Sequence, residues 1–158
     1  MSEQKPTRMA IIAANGTLDK AYSPLILAST GAAMDFEVAV FFTFYGLNII
    51  HKKKHKKLKV APIANPAAPM PVPNIMGMLP GMTWMATKMM KRMMSKANVA
   101  TLPELLEACV ESDVRLIGCQ MTMDAMGIKK EDLIDGVEIG GAAMFLEFAK
   151  DADITLYM

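Results

Sequence analysis

Cysteine, histidine and tryptophan are scarce in this chain of 158 residues, which holds two, two and one of them. Two cysteines cannot build the disulfide framework of a small secreted scaffold, and two histidines leave little for a zinc site. The phosphate-binding patterns GxGxxG and GxxxxGK[ST] do not occur, so no nucleotide cofactor is expected. No Ser/His/Asp set is evident either, because both histidines lie in one run of lysines. His51 and His55 are four apart and could share a helical face, but six flanking lysines would repel a cation, so no metal is expected. The opening octet, MSEQKPTR, lacks the apolar run of a secretory signal, and the default expectation is a cytoplasmic protein. Long apolar runs are also missing in usable form. Residues 60–87 are uncharged but carry six prolines, and residues 38–50 are shorter than the roughly 20 residues a spanning helix needs.

The second absence is acidic. Residues 38–103 contain no carboxylate and ten Lys or Arg. Seven basic and sixteen acidic residues make up the rest, so the two parts carry +10 and −9 behind a formal net charge of +1. A near-zero total predicts no nucleic-acid partner, whereas the split predicts one face suited to an anionic partner. What the chain has in abundance is methionine: 17, nine of them within residues 70–94. Met is a flexible gap-filler, common where an apolar surface adapts to more than one neighbour.

The patterning reads as a single domain over residues 1–158 with a basic, Pro-rich and Met-rich insert at about 51–97. Residues 8–14 (RMAIIAA) and 37–43 (EVAVFFT) read as strands, with a helix between them to about Ala33 that Thr17 or Asp19 could cap. Residues 102–113 form a helix with Thr101 as N-cap and an apolar stripe of Leu102, Leu105, Leu106 and Cys109. Residues 115–119, 137–139 and 154–157 supply three more strands, and residues 142–150 a further helix. Five strands separated by helices make an α/β fold, a three-layer α/β/α sandwich on a parallel sheet. Residues 83–96 (TWMATKMMKRMMSK) form an amphipathic helix with Met82, Met85, Met89 and Met93 on one side and Lys88, Lys91, Arg92 and Lys96 opposite. That Met face could cover the sheet, meet another subunit, or lie on an anionic bilayer. The lysine run at 51–59 is a solvated loop or a docking site for an anion.

In open parallel sheets the working site lies at the carboxyl ends of the strands. Those ends hold Asn15, Gly16 and Thr17; Thr43, Phe44, Tyr45 and Gly46; Cys119, Gln120 and Met121; and Gly140 and Gly141. Cys119 is the nucleophile among them. With a helix starting beyond it, backbone N–H groups and the helix dipole favour its thiolate and would hold a bound anion. The glycines would let backbone approach such a group closely. The plainer reading of Cys119 is a small apolar residue ending a buried strand. Cys109, on its helix's apolar stripe, reads as core. A helix rise and a strand climb separate the two thiols by about 10 Å in height, beyond the ~7 Å Cα limit for a disulfide.

Three segments, LDKAYSPLILASTGAAM, FFTFYGLN and CQMTMDAMGIKKEDLIDGVEIGG, together resemble the DsrE/DsrF/DsrH-like superfamily, in its DsrE-type, peroxiredoxin-like or sulfurtransferase branch. The resemblance covers nearly the whole chain. It implies strand order 4-3-2-1-5, homo-oligomers such as trimers or hexamers, and a cytoplasmic relay in which a cysteine carries sulfane sulfur or thiosulfate between partner proteins. It places Cys119 at the sulfur-carrying position and matches Cys109 to a second cysteine found in part of the branch. It also leaves contact with a membrane surface open, since some members associate with membranes. The expected function is therefore a sulfur carrier or sulfurtransferase, needing no cofactor, with sulfur-donor and sulfur-acceptor proteins or small sulfane-sulfur anions as partners. The alternative is a non-catalytic assembly protein that docks through its basic loop and Met-rich helix, with Cys119 inert.

Overall fold

The computed structural model describes residues 5–61 and 79–158. Most of the Pro-rich stretch, with Pro62, Pro66, Pro69, Pro71 and Pro73, lies outside the described residues. Five strands, β1 (Arg8–Ala13), β2 (Glu37–Phe42), β3 (Arg115–Cys119), β4 (Val137–Gly140) and β5 (Ile154–Tyr157), form one sheet. Every pairing is parallel and the order is β4-β3-β2-β1-β5, as the resemblance implies.

Alternation along the strands divides the core in two. Met9, Ile11, Val38, Val40, Phe42 and Leu116 face helices α1 (Leu18–Ala33) and α3 (Leu102–Glu111), joined by Leu25, Ala28, Leu106 and Cys109. Ala10, Ala39, Phe41, Ile117 and Cys119 face α5 (Ala142–Ala149), whose Phe145 stacks on Phe41 with ring centroids 5.1 Å apart. The two free thiols thus belong to core clusters on opposite faces of the sheet, which separates them. Arg8 and Arg115 pack over the Phe148 ring at the starts of their strands. Helix α3 starts at Thr101, whose N–H and hydroxyl both donate to the Glu104 carboxylate, at 2.6 and 2.8 Å. Such a cap is worth about 1 kcal/mol. Thr17 occupies the N-cap of α1 but makes no side-chain cap bond.

The Met-rich helix, α2 (Met82–Lys96), does not set Lys88, Arg92 and Lys96 opposite its Met85, Met89 and Met93 stripe. Met85, Met89 and Met93 are each about half exposed, as is Trp84, and Met90 and Met94 pack on the core instead. Thr87 explains the phase. It is buried, its hydroxyl donates to the Thr83 carbonyl at 2.7 Å, and it accepts the Val60 N–H at 3.1 Å. Satisfying that N–H turns Thr87 inward and carries the outer Met stripe, interleaved with Lys88, Arg92 and Lys96, to solvent.

The lysine run divides in the same way. Lys52, Lys53, Lys54, Lys56, Lys57 and Lys59 are exposed, while His51 and His55 are buried. His55 Nδ1 lies 2.8 Å from the His51 carbonyl, and His51 Nδ1 accepts the Lys53 N–H at 3.2 Å. Burial, followed by the Lys54 charge, pushes His51 below the usual imidazole value, which suits a neutral acceptor. The histidines anchor the loop and are not presented as a ligand pair. Nor is the run free of acidic neighbours, as it is along the chain, because the fold brings Asp135 within 3.4 Å of Lys52.

The setting of α2 is testable by urea unfolding. Met89→Ser and Met93→Ser should change stability by less than about 0.5 kcal/mol, whereas Met94→Ser should cost about 1 kcal/mol or more through lost burial. Equal losses from both faces would mean the helix sits the other way round.

Candidate functional site

Cys119 ends β3 and is the N-cap of α4 (Gln120–Met126). Its backbone is extended, with φ −68° and ψ 113°, so the chain turns sharply into the helix at the cap, where the side chain makes no cap hydrogen bond. Parallel pairing of β2 with β3 puts the end of β2 alongside, and Thr43 follows Phe42 there. The Thr43 and Thr122 hydroxyls are 3.2 Å apart, and Thr122 Oγ1 also accepts the Phe44 N–H at 3.3 Å.

Cys119 as a residue is only 4% exposed. Burial among Phe41, Ile117 and Phe145 pushes its pKa up. Against that act the Thr122 hydroxyl, the Thr122 N–H, the Thr43 hydroxyl and the Met121 N–H. Together they outweigh burial, and Cys119 titrates below an ordinary thiol. Cys109 shows what burial does alone: its Sγ has one weak bond to the Leu25 carbonyl, at 3.7 Å, and its pKa is pushed up to about 11. Burial is thus offset at Cys119 and unopposed at Cys109.

The other strand-end residues divide into those near the sulfur and those that are not. Gly140 pairs directly with Cys119 across β3 and β4, and Gly141 is the exposed N-cap of α5. Gln120 is turned away, donating to Asp124 Oδ1 at 2.7 Å. Tyr45 follows Phe44 at the rim with its side chain 67% exposed. Asn15, Gly16 and Thr17 follow β1, which β2 separates from β3, two strand spacings or about 9.6 Å away. Gly16 and Gly46 bring the backbones of two neighbouring loops close together. A Cβ on Gly16 would strike the Tyr45 carbonyl, and one on Gly46 the Ala13 carbonyl. The Gly46 N–H, held 3.1 Å from the Ala14 carbonyl, locks the two loops together.

Thr122 is absent from the strand-end residues above, and Thr43 stands among them without a role. A signal for Thr122 exists in the sequence: it stands three residues after Cys119, where an N3 side chain turns back toward the cap. Thr43 is legible only once β2 is known to lie beside β3. Among the described residues, no three His, Cys, Asp or Glu side chains come together as a metal cluster would require, and no helix is long and apolar enough to cross a membrane.

Residues 5–157 match the sequence model of the DsrE/DsrF/DrsH-like family. The chain is 51% identical to the sulfur carrier protein DsrE2 of Allochromatium vinosum, with 99% of each covered. It is 34% identical to the uncharacterized protein YrkE of Bacillus subtilis, with both covered in full. Two solved structures share the fold at low identity. The ychN protein of E. coli superposes with a TM-score of 0.52 at 14% identity, and MTH1491 of Methanobacterium thermoautotrophicum, a protein of unknown function, with 0.56 at 12%. Each covers 96% of this chain and 99% of its own.

The donor set around Cys119 predicts a pH profile. Alkylation of the folded protein by iodoacetamide should rise with the thiolate and reach its half-point below the ordinary thiol range. Thr122→Val removes donors to the charged form and should move that point upward, while Cys109 stays unmodified until the protein unfolds. A profile unmoved by Thr122→Val would remove the hydroxyl from the account.

Proposed function

The chain belongs to the DsrE/DsrF/DrsH-like family, and we propose that within it this protein is a sulfur carrier working through Cys119. The observation that carries this reading is a thiol at the carboxyl edge of a parallel sheet, capping a helix beside the paired Thr43 and Thr122 hydroxyls, with its pKa lowered in spite of burial. The full-length likeness to a sulfur carrier protein supports it. Nothing in the relatives supports a purely docking role with Cys119 inert.

The chemistry follows from the geometry. The Cys119 thiolate attacks the outer sulfur of a persulfide or polysulfide donor. The donor's S–S bond breaks, its electron pair leaves on the donor thiolate, and a new S–S bond leaves Cys119 as a persulfide. An acceptor thiolate on a partner then attacks the outer sulfur and returns Cys119 as thiolate. Both steps are displacements at sulfur, redox-neutral overall, and no metal or organic cofactor takes part. The four donors stabilise the anion at each stage, first the thiolate and then the persulfide. The other cargo is a thiosulfonate: the thiolate attacks tetrathionate, whose central S–S bond breaks, one thiosulfate leaves with the electron pair, and the other half stays on Cys119.

Three further features belong to this reading. α5 alone among the described residues covers its sheet face and exposes Leu146, which supports a homo-oligomer, a trimer or hexamer. The outer face of α2, with Trp84, Met85, Met89 and Met93 among Lys88, Arg92 and Lys96, supports contact with an anionic membrane surface. A cytoplasmic location fits thiol chemistry that needs a reducing compartment.

Intact-mass spectrometry tests the central claim. Incubation with polysulfide should add about 32 Da per sulfur, or with tetrathionate about 112 Da, removable by dithiothreitol. Cys119→Ser should take up nothing and Cys109→Ser should load normally. Folded wild type that takes up no sulfur from any donor would end the carrier reading. For the membrane contact, cosedimentation with phosphatidylglycerol vesicles at low salt should be lost when Lys52, Lys53 and Lys54 are exchanged for Gln, and binding that survives would remove those lysines from it.

A further inference from the structure

Three large side chains stand exposed where the chain leaves the thiol's own strand and the one beside it: Phe44 at 60%, Tyr45 at 67% and Met121 at 66%. Each is tied to the site by its backbone. Phe44 and Tyr45 follow Thr43, the Phe44 N–H bonds Thr122 Oγ1, and the Met121 N–H faces the Cys119 sulfur. Phe44 is held at φ +48°, a left-handed setting unfavourable for a bulky residue, with its side chain out in solvent. A protein that keeps an aromatic side chain outward on strained backbone beside a reactive group spends stability for some purpose there.

The same rim is uncharged. Residues 43–46 and 119–123 contain no Lys, Arg, Asp or Glu, and the first carboxylate beyond, Asp124, is taken by Gln120. The lysine-rich loop and α2 sit on the other face of the sheet, where His51, Met90 and Met94 anchor them on or beside the α1 and α3 core. The cationic surface therefore does not frame the thiol. Cys119 is itself buried as a residue, which disfavours a cysteine lying flush on a broad protein surface.

We propose that Phe44, Tyr45 and Met121 form the seat for a partner protein's cysteine-bearing segment, one narrow enough to enter the rim and flanked by uncharged, apolar residues. This rests on the carrier reading above. Seating puts the partner thiolate in line with the outer sulfur of the Cys119 persulfide. That sulfur stands one S–S bond, about 2.05 Å, nearer the rim than Sγ. As the new S–S bond forms, the Cys119 S–S bond breaks and its electron pair returns to Sγ, where the same four donors receive it. The rim selects the acceptor, and the donors run the chemistry.

The test uses the full chain loaded with polysulfide and freed of excess donor. Two synthetic acceptor peptides of equal length carry one cysteine each, flanked by Leu and Met in one and by Ser and Gly in the other. Sulfur transfer is read as loss of about 32 Da from the protein and its gain by the peptide. The apolar peptide should be the faster acceptor, by about tenfold for a seat worth 1.4 kcal/mol. Tyr45→Ser with Met121→Ser should bring the two peptides level, and any change in loading from polysulfide or in transfer to free cysteine should fall equally on both peptides and leave their ratio near one. Equal rates on both peptides in wild type, or a preference that survives in the double variant, would overturn the seat and leave the carrier reading intact. Wild type that never loads would instead remove the carrier reading and the seat together.

Discussion

Parallel pairing of β2 with β3 sets Phe42 level with Gly118, so the chain leaves both strands at the same edge of the sheet. The two exits are one strand spacing apart, about 4.8 Å. Everything at the site depends on that adjacency. Thr43 reaches Thr122 because one leaves β2 where the other enters the helix behind β3. Antiparallel strands would send their exits to opposite edges and leave Cys119 with only its own helix turn. With that turn alone, burial would have the larger say in its ionisation, as it does at Cys109.

The strands and most helix positions were legible because period-2 and period-3.6 patterns are set by burial, and burial is what residue type reports. Residues 8–14 and 37–43 could hardly be anything but buried strands. Cys119 was legible as a candidate because the end of a parallel strand is a chemical location that can be counted along the chain. What surrounds it was less so. Thr43 works through a neighbour 79 residues away, a relation that no local spacing encodes. The glycines were legible as positions where backbone comes close, and at Gly16 and Gly46 the approaching group is another loop.

The phase of α2 was hidden for a different reason. Methionines recur on both of its faces, at 85, 89 and 93 and again at 90 and 94, so hydrophobicity alone does not choose between them. A buried hydroxyl chose, through one backbone N–H that had to be paired. The charge split was plain in the sequence, and its geometry was not. The cationic loop and α2 lie over one face of the sheet, the thiol belongs to the core of the other, and the uncharged rim stands between two surfaces of different chemistry.

The contact between Gly16 and Gly46 governs how this edge can change over evolutionary time. Neither position can gain even a methyl group without parting the loops that follow β1 and β2. Lengthening one loop therefore obliges the other to move, and two linked changes are reached far less often than one. Side chains at Tyr45, Gln120 and Met121 have open solvent in front of them and no such partner. Variation among proteins built this way should collect at those three positions. Lineages that differ in what they pass sulfur to would then diverge at the rim while the loops beneath it stay the same.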